Sequence, residues 1–355
     1  MKMQKLVALM ALAVLVAMPA GAQTKEKISN RYSMELVENG DGTYSLKHKD
    51  RYKFIENFDE VPDLLTVYEH KPIAAKKHYS QCVSEEYVYK TYPEYELKLV
   101  VDRAVSNKPA PFVVWIHGGG WTKGNNNAFR ISSQFLAVQK GIAGVRIAYT
   151  LSHQPNARIE ISVEDIQDAV KFVQKHAKEL NIDPNSFGFC GQSAGAHLSA
   201  VSALTIKGAK AMVGYAGPYN FLNFNPTTAH DKKRTRYFHN LDKDVLKAYS
   251  PVHMVPKKNI PAVKLFHGTG DCLVEYTQSV EFAEALEAKG GEVELDIRDY
   301  YDHNLHGKRS DIGHELLMLT ADFFVTHLTE RLPARVRKDP KVGEWRWLLP
   351  HFFVS

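Results

Sequence analysis

The stretch SFGFC-GQSAG-AHLSAVSAL, residues 186–204, decides the fold of this 355-residue chain. Its first five residues form an apolar run, which predicts a buried strand over 186–190. Small residues dominate 194–204 and predict a helix. Between the two lies Gly-x-Ser-x-Gly, and a sharp strand-to-helix turn needs small neighbours because its central residue has a strained backbone. The stretch therefore predicts a strand, a tight turn that presents Ser193, and a helix.

Strands and helices alternate along the chain from about residue 84. Continuous apolar runs such as 112–116 predict strands buried on both faces, and apolar residues at helical spacing predict amphipathic helices. This alternation is typical of the α/β class, with a mostly parallel central sheet and helices on both faces. The predicted strands are 96–101, 112–116, 142–147, 186–190, 211–215, 262–266 and 293–298, and the predicted helices are 129–140, 163–180, 194–204, 277–289 and 315–328.

The N-terminus has the features of a cleavable signal peptide. Two lysines precede an uncharged apolar run, 6–18, and Ala20-Gly21-Ala22 supplies a small-x-small cleavage site. The apolar run is too short for a comfortable membrane span. We therefore predict that residues 1–22 are removed, that the mature chain begins at Gln23, and that it is secreted or periplasmic with no stable membrane insertion.

Three further segments complete the predicted domain organisation. Residues 23–83 form a small β-rich extension, in which two strand-like segments flank Asn39-Gly40-Asp41-Gly42 and predict a β-hairpin. Residues 84–330 form the main domain, and residues 331–355 form a C-terminal tail. Because the sequence contains no low-complexity linker, we expect the extension to pack on the main domain. The tail, which contains Trp345, Trp347, Phe352 and Phe353, is also expected to pack there, with the binding of a partner as the alternative.

Charge gives no case for a nucleic-acid partner. The chain has 45 basic and 40 acidic residues, and loss of the signal peptide removes two of the basic ones, which leaves a net charge of +3. No nucleic-acid motif accompanies this near balance. The basic cluster Lys232, Lys233, Arg234 and Arg236 is interpreted as a solvated loop or helix face.

Three cysteines at wide spacing do not form a disulfide framework. Cys190 ends an apolar run and is expected to be buried. A bridge between Cys82 and Cys272 is left open, as is the oligomeric state.

Ser193 is the candidate nucleophile. Parallel sheets bring their functional loops to the carboxyl ends of the strands, and Ser193 follows such an end directly. The N-terminus of the helix that follows favours negative charge.

The glycine-rich segment His117-Gly118-Gly119-Gly120-Trp121 follows another buried strand. Glycines allow backbone N–H groups to approach a substrate, so we predict that Gly119 and Gly120, together with Ala194, form an oxyanion hole. A phosphate-binding loop is the alternative, but no Lys-Ser/Thr pair follows and the glycine spacing does not fit a dinucleotide fingerprint. His117 is expected to brace this loop rather than to act as a base.

In proteins with a Gly-x-Ser-x-Gly turn between a strand and a helix, the acid and the base follow the nucleophile in the chain. Asp271 comes after strand 262–266 and is the predicted acid, with Glu275 as the weaker substitute. His303 and His306 both follow strand 293–298, and the residues themselves leave the choice open.

A metal site is the alternative interpretation of this last segment. Asp302, His303 and His306 have side chains that bind zinc. Because a serine and a glycine-rich loop suited to covalent catalysis are both present, we predict no metal and no cofactor.

Together these motifs resemble the α/β-hydrolase esterases of the BD-FAE-like and hormone-sensitive-lipase-like groups. The resemblance implies the α/β-hydrolase fold and a serine carboxylic-ester hydrolase with a Ser-His-Asp triad. It covers about 84–330, and its shared segments, in the order of the family, are 117–121, 148–152, 165–173, 181–184, 191–198, 250–252 and 267–274.

The resemblance also bears on the base. In similar enzymes the histidine follows the acid by about thirty residues, after a small-residue turn. His303 stands 32 residues after Asp271 and His306 stands 35 residues after it, which favours His303. This chain departs from the family in having Tyr300-Tyr301-Asp302 where a Gly-x-Gly approach is usual, which keeps His306 as the second choice.

Related enzymes act as carboxylesterases, as acetyl or feruloyl esterases on plant polysaccharide, and as formamidases. Export favours extracellular esters, so the resemblance implies short acyl (acetyl) or feruloyl esters of saccharides as substrates. An amidase, peptidase or formamidase with the same triad is one alternative. A catalytically inactive binding protein with this fold is the other, and the presence of every catalytic part disfavours it.

Residues 217–249 lie where relatives carry a lid over the acyl pocket. Aromatic side chains there, and one in the glycine-rich segment, are candidates for lining that pocket, with core packing as the alternative for each. They are Trp121, Tyr219, Phe221, Phe224 and Tyr237.

Overall fold

The strands that the structure describes form two sheets. The computed structural model describes residues 34–38, 44–48, 51–54, 82–227, 231–299, 301–305 and 312–329. Within these ranges the strands are β1 Met34–Glu38, β2 Tyr44–His48, β3 Arg51–Phe54, β4 Cys82–Thr91, β5 Glu96–Ala104, β6 Ala110–Ile116, β7 Ala143–Ile147, β8 Ile182–Gln192, β9 Ala209–Tyr215, β10 Ala262–Gly268 and β11 Val293–Arg298.

Helices connect the strands of the main domain. In the described ranges the α-helices are α1 Arg130–Phe135, α2 Ile159–Lys175, α3 Ala177–Leu180, α4 Ala194–Thr205, α5 Lys232–Tyr237, α6 Lys243–Ala248, α7 Pro251–Met254, α8 Thr277–Glu287 and α9 Ile312–Phe324. Two of them continue as π-helical turns, α1 into Leu136–Lys140 and α9 into Val325–Thr329, and a 3-10 turn spans His239–Leu241.

The main sheet has eight strands in the order β11-β10-β9-β8-β6-β7-β5-β4. The six strands from β11 to β7 pair in parallel, while β5 pairs antiparallel with both β7 and β4. This mostly parallel sheet confirms the predicted α/β class. It also places the carboxyl ends of β6, β8 and β10 at one edge, where the functional loops of such sheets lie.

Both faces of the central strands are buried. Along β6, Phe112 packs into the core cluster on one face of the sheet and Val113 into the cluster on the other, and both side chains are inaccessible to solvent. Phe112 stacks on Phe187 of β8 at a centroid distance of 5.3 Å. Burying a side chain of this size stabilises the fold by roughly 1.5–3 kcal/mol, so these strands hold the loops at their ends firmly.

A buried ion pair joins the antiparallel strands to the parallel part of the sheet. Arg146 of β7 contacts Asp102 of β5, with 2.6 Å between Nε and Oδ2 and 3.2 Å between Nη2 and Oδ1. Both side chains are almost completely buried. Since a buried charge without its partner is costly, removal of either residue is expected to destabilise this edge by about 3–5 kcal/mol.

Each strand and helix that the sequence predicts for the main domain is present, in the predicted order, and the structure adds elements that were not predicted, among them the short helices α5, α6 and α7. The helix predicted over 163–180 begins earlier, at Ile159, and is interrupted at His176. The edge strand β4 and the short strand β3 were not predicted. The predicted hairpin is confirmed, because β1 pairs antiparallel with β2.

Several sequence-based expectations fall outside the described residues. These are the signal peptide 1–22, the turn 39–42 and the tail 331–355. The packing of the extension on the main domain stays a prediction. In the part of the chain that the structure describes, no helix has the length and apolar character needed to cross a membrane. Cys82, Cys190 and Cys272 are all described and no disulfide joins them.

Candidate active site

Ser193 occupies the sharp turn between β8 and α4. Its backbone has φ 56° and ψ −123°, a strained conformation for a residue with a side chain. The turn is held by its N–H, which donates to Tyr215 O at 2.8 Å. A Cβ on Gly195 would lie 2.1 Å from Ile116 O, so only glycine allows α4 to approach β6 this closely. The small residues therefore have the steric role that the sequence predicted for them.

His303 bridges the serine and an aspartate. Its Nε2 lies 2.9 Å from Ser193 Oγ, and its Nδ1 lies 2.7 Å from Asp271 Oδ2. Because the carboxylate accepts a hydrogen bond from Nδ1–H, the Nε2 lone pair faces the serine hydroxyl. The three side chains are in the arrangement in which a histidine removes a proton from a serine hydroxyl.

Asp271 lies at the end of β10 and is buried. Its Oδ1 accepts hydrogen bonds from Leu273 N at 2.8 Å and Val274 N at 2.9 Å. Burial alone would raise the pKa of this carboxyl group, but the charge of His303 and hydrogen bonds from His267 and His303 outweigh it and hold the pKa well below its ordinary value. Asp271 therefore remains an anion that stabilises a positive charge on His303.

A second histidine, His267, contacts the same carboxylate, and the sequence analysis did not assign it a role. Its Nε2 lies 3.1 Å from Asp271 Oδ2 and 2.9 Å from Val274 O, and its Nδ1 lies 2.7 Å from Ser279 Oγ. Since both groups at Nε2 are acceptors, that nitrogen carries the proton and Ser279 donates to Nδ1. The only sequence signal was its position four residues before the predicted acid.

The loop after β11 carries His303. Within it, Leu305 N donates to Asp302 O at 2.8 Å, and Gln192, which precedes the serine, has its Nε2 3.4 Å from His303 O. This loop brings the favoured histidine to Ser193. The second choice, His306, lies outside the described residues. Glu275, the weaker candidate for the acid, is exposed to solvent.

The glycine-rich loop after β6 lies against Ser193. A Cβ on Gly118 would be 3.3 Å from Ser193 Cβ. Gly119 has φ +112°, and its carbonyl accepts hydrogen bonds from the N–H groups of Thr122 and Lys123 at 3.1 and 3.2 Å. In a trans peptide the N–H points opposite to the C=O, so the Gly120 N–H points away from this turn. Ala194 N begins α4 immediately after the serine.

His117 braces the glycine-rich loop. It is buried, its Nδ1 lies 2.8 Å from Gly118 O, and its ring stacks on Tyr149 at 4.4 Å. Burial lowers the pKa of His117, so the ring is neutral near pH 7. The Tyr149 hydroxyl donates to His117 O at 3.1 Å, which fixes the end of β6.

The aromatic candidates for the acyl pocket are packed among other side chains. Trp121 and Phe221 are each 3% exposed, and they share an aromatic cluster with His197 and Phe238 at centroid distances of 4.6–5.7 Å. His197 lies one helical turn after the serine, and its backbone N–H donates to the backbone carbonyl of Ser193. Tyr219 lies apart from this cluster and stacks on Phe282 at 4.7 Å.

Two further candidates lie within residues 217–249. Phe224 packs beside Phe221 at a centroid distance of 6.4 Å, and Tyr237 is fully buried, with its hydroxyl donating to Ser162 Oγ at 2.7 Å. The cluster of Trp121, Phe221, His197 and Phe238 is linked to the serine turn through the backbone N–H of His197, which donates to Ser193 O.

The described ranges contain no candidate metal site. No group of three or more His, Cys, Asp or Glu residues there has an arrangement that would hold a metal ion.

Comparison with known proteins identifies the family. The model of the BD-FAE family matches residues 99–286, just over half of the 355-residue chain. The chain belongs to the BD-FAE family. The match begins in β5 and ends in α8, so it includes the serine turn, the glycine-rich loop and Asp271.

Curated relatives of this BD-FAE member are esterases. A probable isoprenylcysteine alpha-carbonyl methylesterase of Oryza sativa is 26% identical over 309 residues, which cover 77% of this chain and 72% of the rice protein. Esterase LipC of Mycobacterium tuberculosis is 25% identical over 208 residues, and the match spans about half of each chain, 51% of this one and 49% of LipC.

Solved structures show the same fold. Esterase 2 of Thermogutta terrifontis, phosphonylated by sarin, superposes with a TM-score of 0.59 at 24% identity, over 68% of this chain and 94% of that one. The chain thus has the α/β-hydrolase fold. Family and relatives together identify it as a carboxylic-ester hydrolase.

Proposed function

We propose that this BD-FAE member is an exported serine esterase in which Ser193, His303 and Asp271 form the catalytic triad. The observation that carries the proposal is the bridge made by His303, with Nε2 2.9 Å from Ser193 Oγ and Nδ1 2.7 Å from Asp271 Oδ2. A serine hydroxyl at neutral pH is a weak nucleophile, and an adjacent base held by a carboxylate activates it.

The reaction has two halves. In the first, Ser193 Oγ attacks the ester carbonyl while its proton moves to His303 Nε2, and the N–H groups of Gly119, Gly120 and Ala194 stabilise the oxyanion, each by about 3 kcal/mol. The C–O bond to the alcohol then breaks, and His303 gives its proton to the leaving oxygen. In the second half, water attacks the acyl carbonyl while its proton moves to His303 Nε2. The bond between the acyl carbon and Ser193 Oγ then breaks, His303 returns the proton to Oγ, and the acid is released.

For the substrate we propose short acyl (acetyl) or feruloyl esters of saccharides. Membership of the BD-FAE family supports this class, and the predicted signal peptide 1–22 supports an extracellular substrate. A screen of acetylated and feruloylated saccharides of different chain length tests the class. N-terminal sequencing of the secreted protein tests export, with Gln23 as the expected first residue.

The mechanism is tested by hydrolysis of p-nitrophenyl acetate. We expect Ser193→Ala to reduce kcat by a factor on the order of 10⁴ or more, because the nucleophile is lost. We expect His303→Ala to have a comparable effect and His306→Ala to retain near-normal turnover. Equal rates for wild type and Ser193→Ala would contradict the assignment, and so would an absence of labelling by a fluorophosphonate. Parallel assays with the matched amide test the amidase alternative.

A further inference from the structure

The basic cluster Lys232, Lys233, Arg234 and Arg236 is not a uniform solvated face. Lys232, Lys233 and Arg236 are exposed, in agreement with the sequence interpretation. The Arg234 side chain is only 20% exposed and turns inward from the same short helix, α5. The interpretation of this cluster as a solvated face is therefore wrong for Arg234.

Arg234 lies on the glycine-rich loop. Its Nη1 is 2.8 Å from the position that a Cβ on Gly120 would occupy. Gly118, two residues earlier, is the residue that lies against Ser193. Two residues span at most about 7 Å, so the guanidinium contacts the same short loop that lies against the serine.

Asp231 holds one edge of the guanidinium and leaves another edge for a ligand. Its Oδ2 lies 3.0 Å from Arg234 Nε, and its Oδ1 accepts a hydrogen bond from the backbone N–H of Arg234 at 2.9 Å. The buried Nε has no well-aligned acceptor among the described residues. A guanidinium carries five N–H donors, and the Nη1 side faces the glycine-rich loop.

We propose that Arg234 binds a carboxylate of the substrate, so that the preferred ester carries a negative charge close to the bond that is cleaved. This inference rests on the proposed function. The planar fork of Arg matches a carboxylate with two parallel hydrogen bonds, and a half-buried charge is less screened by solvent than the exposed charges of Lys232, Lys233 and Arg236. Half esters of dicarboxylic acids and acyl esters of acidic sugars have the required chemistry.

The test uses matched pairs of anionic and neutral esters. Monomethyl adipate against methyl hexanoate places the carboxylate on the acid side, and 4-acetoxybenzoate against its methyl ester places it on the alcohol side. The quantity measured is the ratio of kcat/KM for the anionic to the neutral member of each pair, in wild type, Arg234→Met and Arg236→Met. Arg236→Met removes an exposed charge from the same helix and is the matched control.

We expect Arg234→Met to lower this ratio by about tenfold or more in one of the two pairs, which also identifies the side that carries the carboxylate. The rate on the neutral esters should change by less than about threefold, and Arg236→Met should leave both ratios unchanged. Arg234→Lys, which keeps the charge without the fork, should retain part of the preference. Added NaCl should lower the wild-type ratio, and this measurement does not depend on how well any variant folds.

Two outcomes would overturn the inference. One is an equal loss on the anionic and neutral members in Arg234→Met, which is the result expected if Arg234 only fastens α5 to the loop. The other is the absence of any wild-type preference that depends on salt. If wild type and Ser193→Ala were equally slow on the neutral esters, the proposed function itself would fail, which distinguishes the two cases.

Discussion

His267 and His303 donate to the same carboxylate oxygen. Asp271 Oδ2 lies 2.7 Å from His303 Nδ1 and 3.1 Å from His267 Nε2. Two histidines therefore hold Asp271 through one oxygen, and Ser279 orients the ring of His267 in turn. This continuous chain of hydrogen bonds runs from Ser279 to Ser193 and fixes the direction in which Asp271 faces His303.

Loss of His267 should lower turnover and leave substrate binding almost unchanged. In His267→Leu, Asp271 loses one hydrogen bond to a charged acceptor, which is worth about 1.5–3 kcal/mol. We therefore expect kcat on p-nitrophenyl acetate to fall roughly 10- to 100-fold, with KM changed by less than about twofold. His267→Gln keeps an N–H donor and should recover part of the loss. An unchanged kcat in His267→Leu would show that Asp271 does not need this support.

Substitutions of Asp271 and Glu275 should differ sharply in their effect on kcat. Asp271→Asn replaces the acceptor for His303 Nδ1 with an amide that favours the wrong tautomer, and a loss in kcat on the order of 10⁴ is expected. Glu275→Gln changes an exposed side chain four residues later and should leave kcat within about twofold of wild type. Steady-state kinetics on one ester measures both variants. Comparable losses in the two would contradict the assignment of the acid.

Two glycine substitutions distinguish the effect of a side chain in the glycine-rich loop on activity from the effect of backbone strain on stability. Gly119 and Gly141 both have positive φ, +112° and +67°. A Cβ on Gly119 would lie 2.1 Å from Lys123 O, whereas a Cβ on Gly141 would meet nothing within 4 Å. We expect Gly119→Ala to displace the oxyanion donors and reduce kcat by about 100-fold or more. Gly141→Ala should cost about 1 kcal/mol of stability and no activity.

Gly141→Ala is the control for Gly119→Ala, because it places a side chain at a positive φ away from the glycine-rich loop. Urea unfolding of both variants gives the stability term, and p-nitrophenyl acetate hydrolysis gives the activity. A Gly119→Ala enzyme with normal kcat would show that the loop tolerates a side chain and does not position the oxyanion donors.

The sequence was sufficient to predict the parts of the candidate site that come directly after buried strands. Apolar runs located β6, β8 and β10, and the residues that follow them are the glycine-rich loop, Ser193 and Asp271. These are local relationships, because the carboxyl end of a buried parallel strand is defined by the strand itself. The same reasoning narrowed the base to two histidines three residues apart.

The contacts that depend on packing between distant segments could not be predicted. His267 lies at the end of β10, and its contacts with Asp271, Val274 O and Ser279 form only when the following loop and α8 pack around it. Arg234 belongs to a basic run that resembles any exposed helix face, and its inward direction depends on how α5 meets the glycine-rich loop. The helix break at His176 and the edge strand β4 also lack a strong local signal.

His197 should make the stability of the protein depend on pH between about 6.5 and 4. Burial lowers the pKa of His197 from its ordinary value of 6.5 to about 4, against the opposing effect of the hydrogen bond from Nε2 to Tyr249 O. Below pH 6.5 the unfolded chain therefore binds a proton that the folded chain does not, and stability falls as the pH falls. From pH 7.5 to 4.5 this contribution amounts to about 2–3 kcal/mol.

Substitution of His197 should reduce that loss. His197→Gln keeps a donor toward Tyr249 O and removes the titrating ring, so its free energy of unfolding should fall by about 2–3 kcal/mol less than that of wild type between pH 7.5 and 4.5. His117, whose pKa burial also lowers, is present in both proteins, so part of the pH dependence remains. His153→Gln alters an exposed ring and is the control that should behave as wild type. Urea unfolding at four pH values makes the comparison, and parallel curves for wild type and His197→Gln would contradict the assignment of this acid sensitivity to His197.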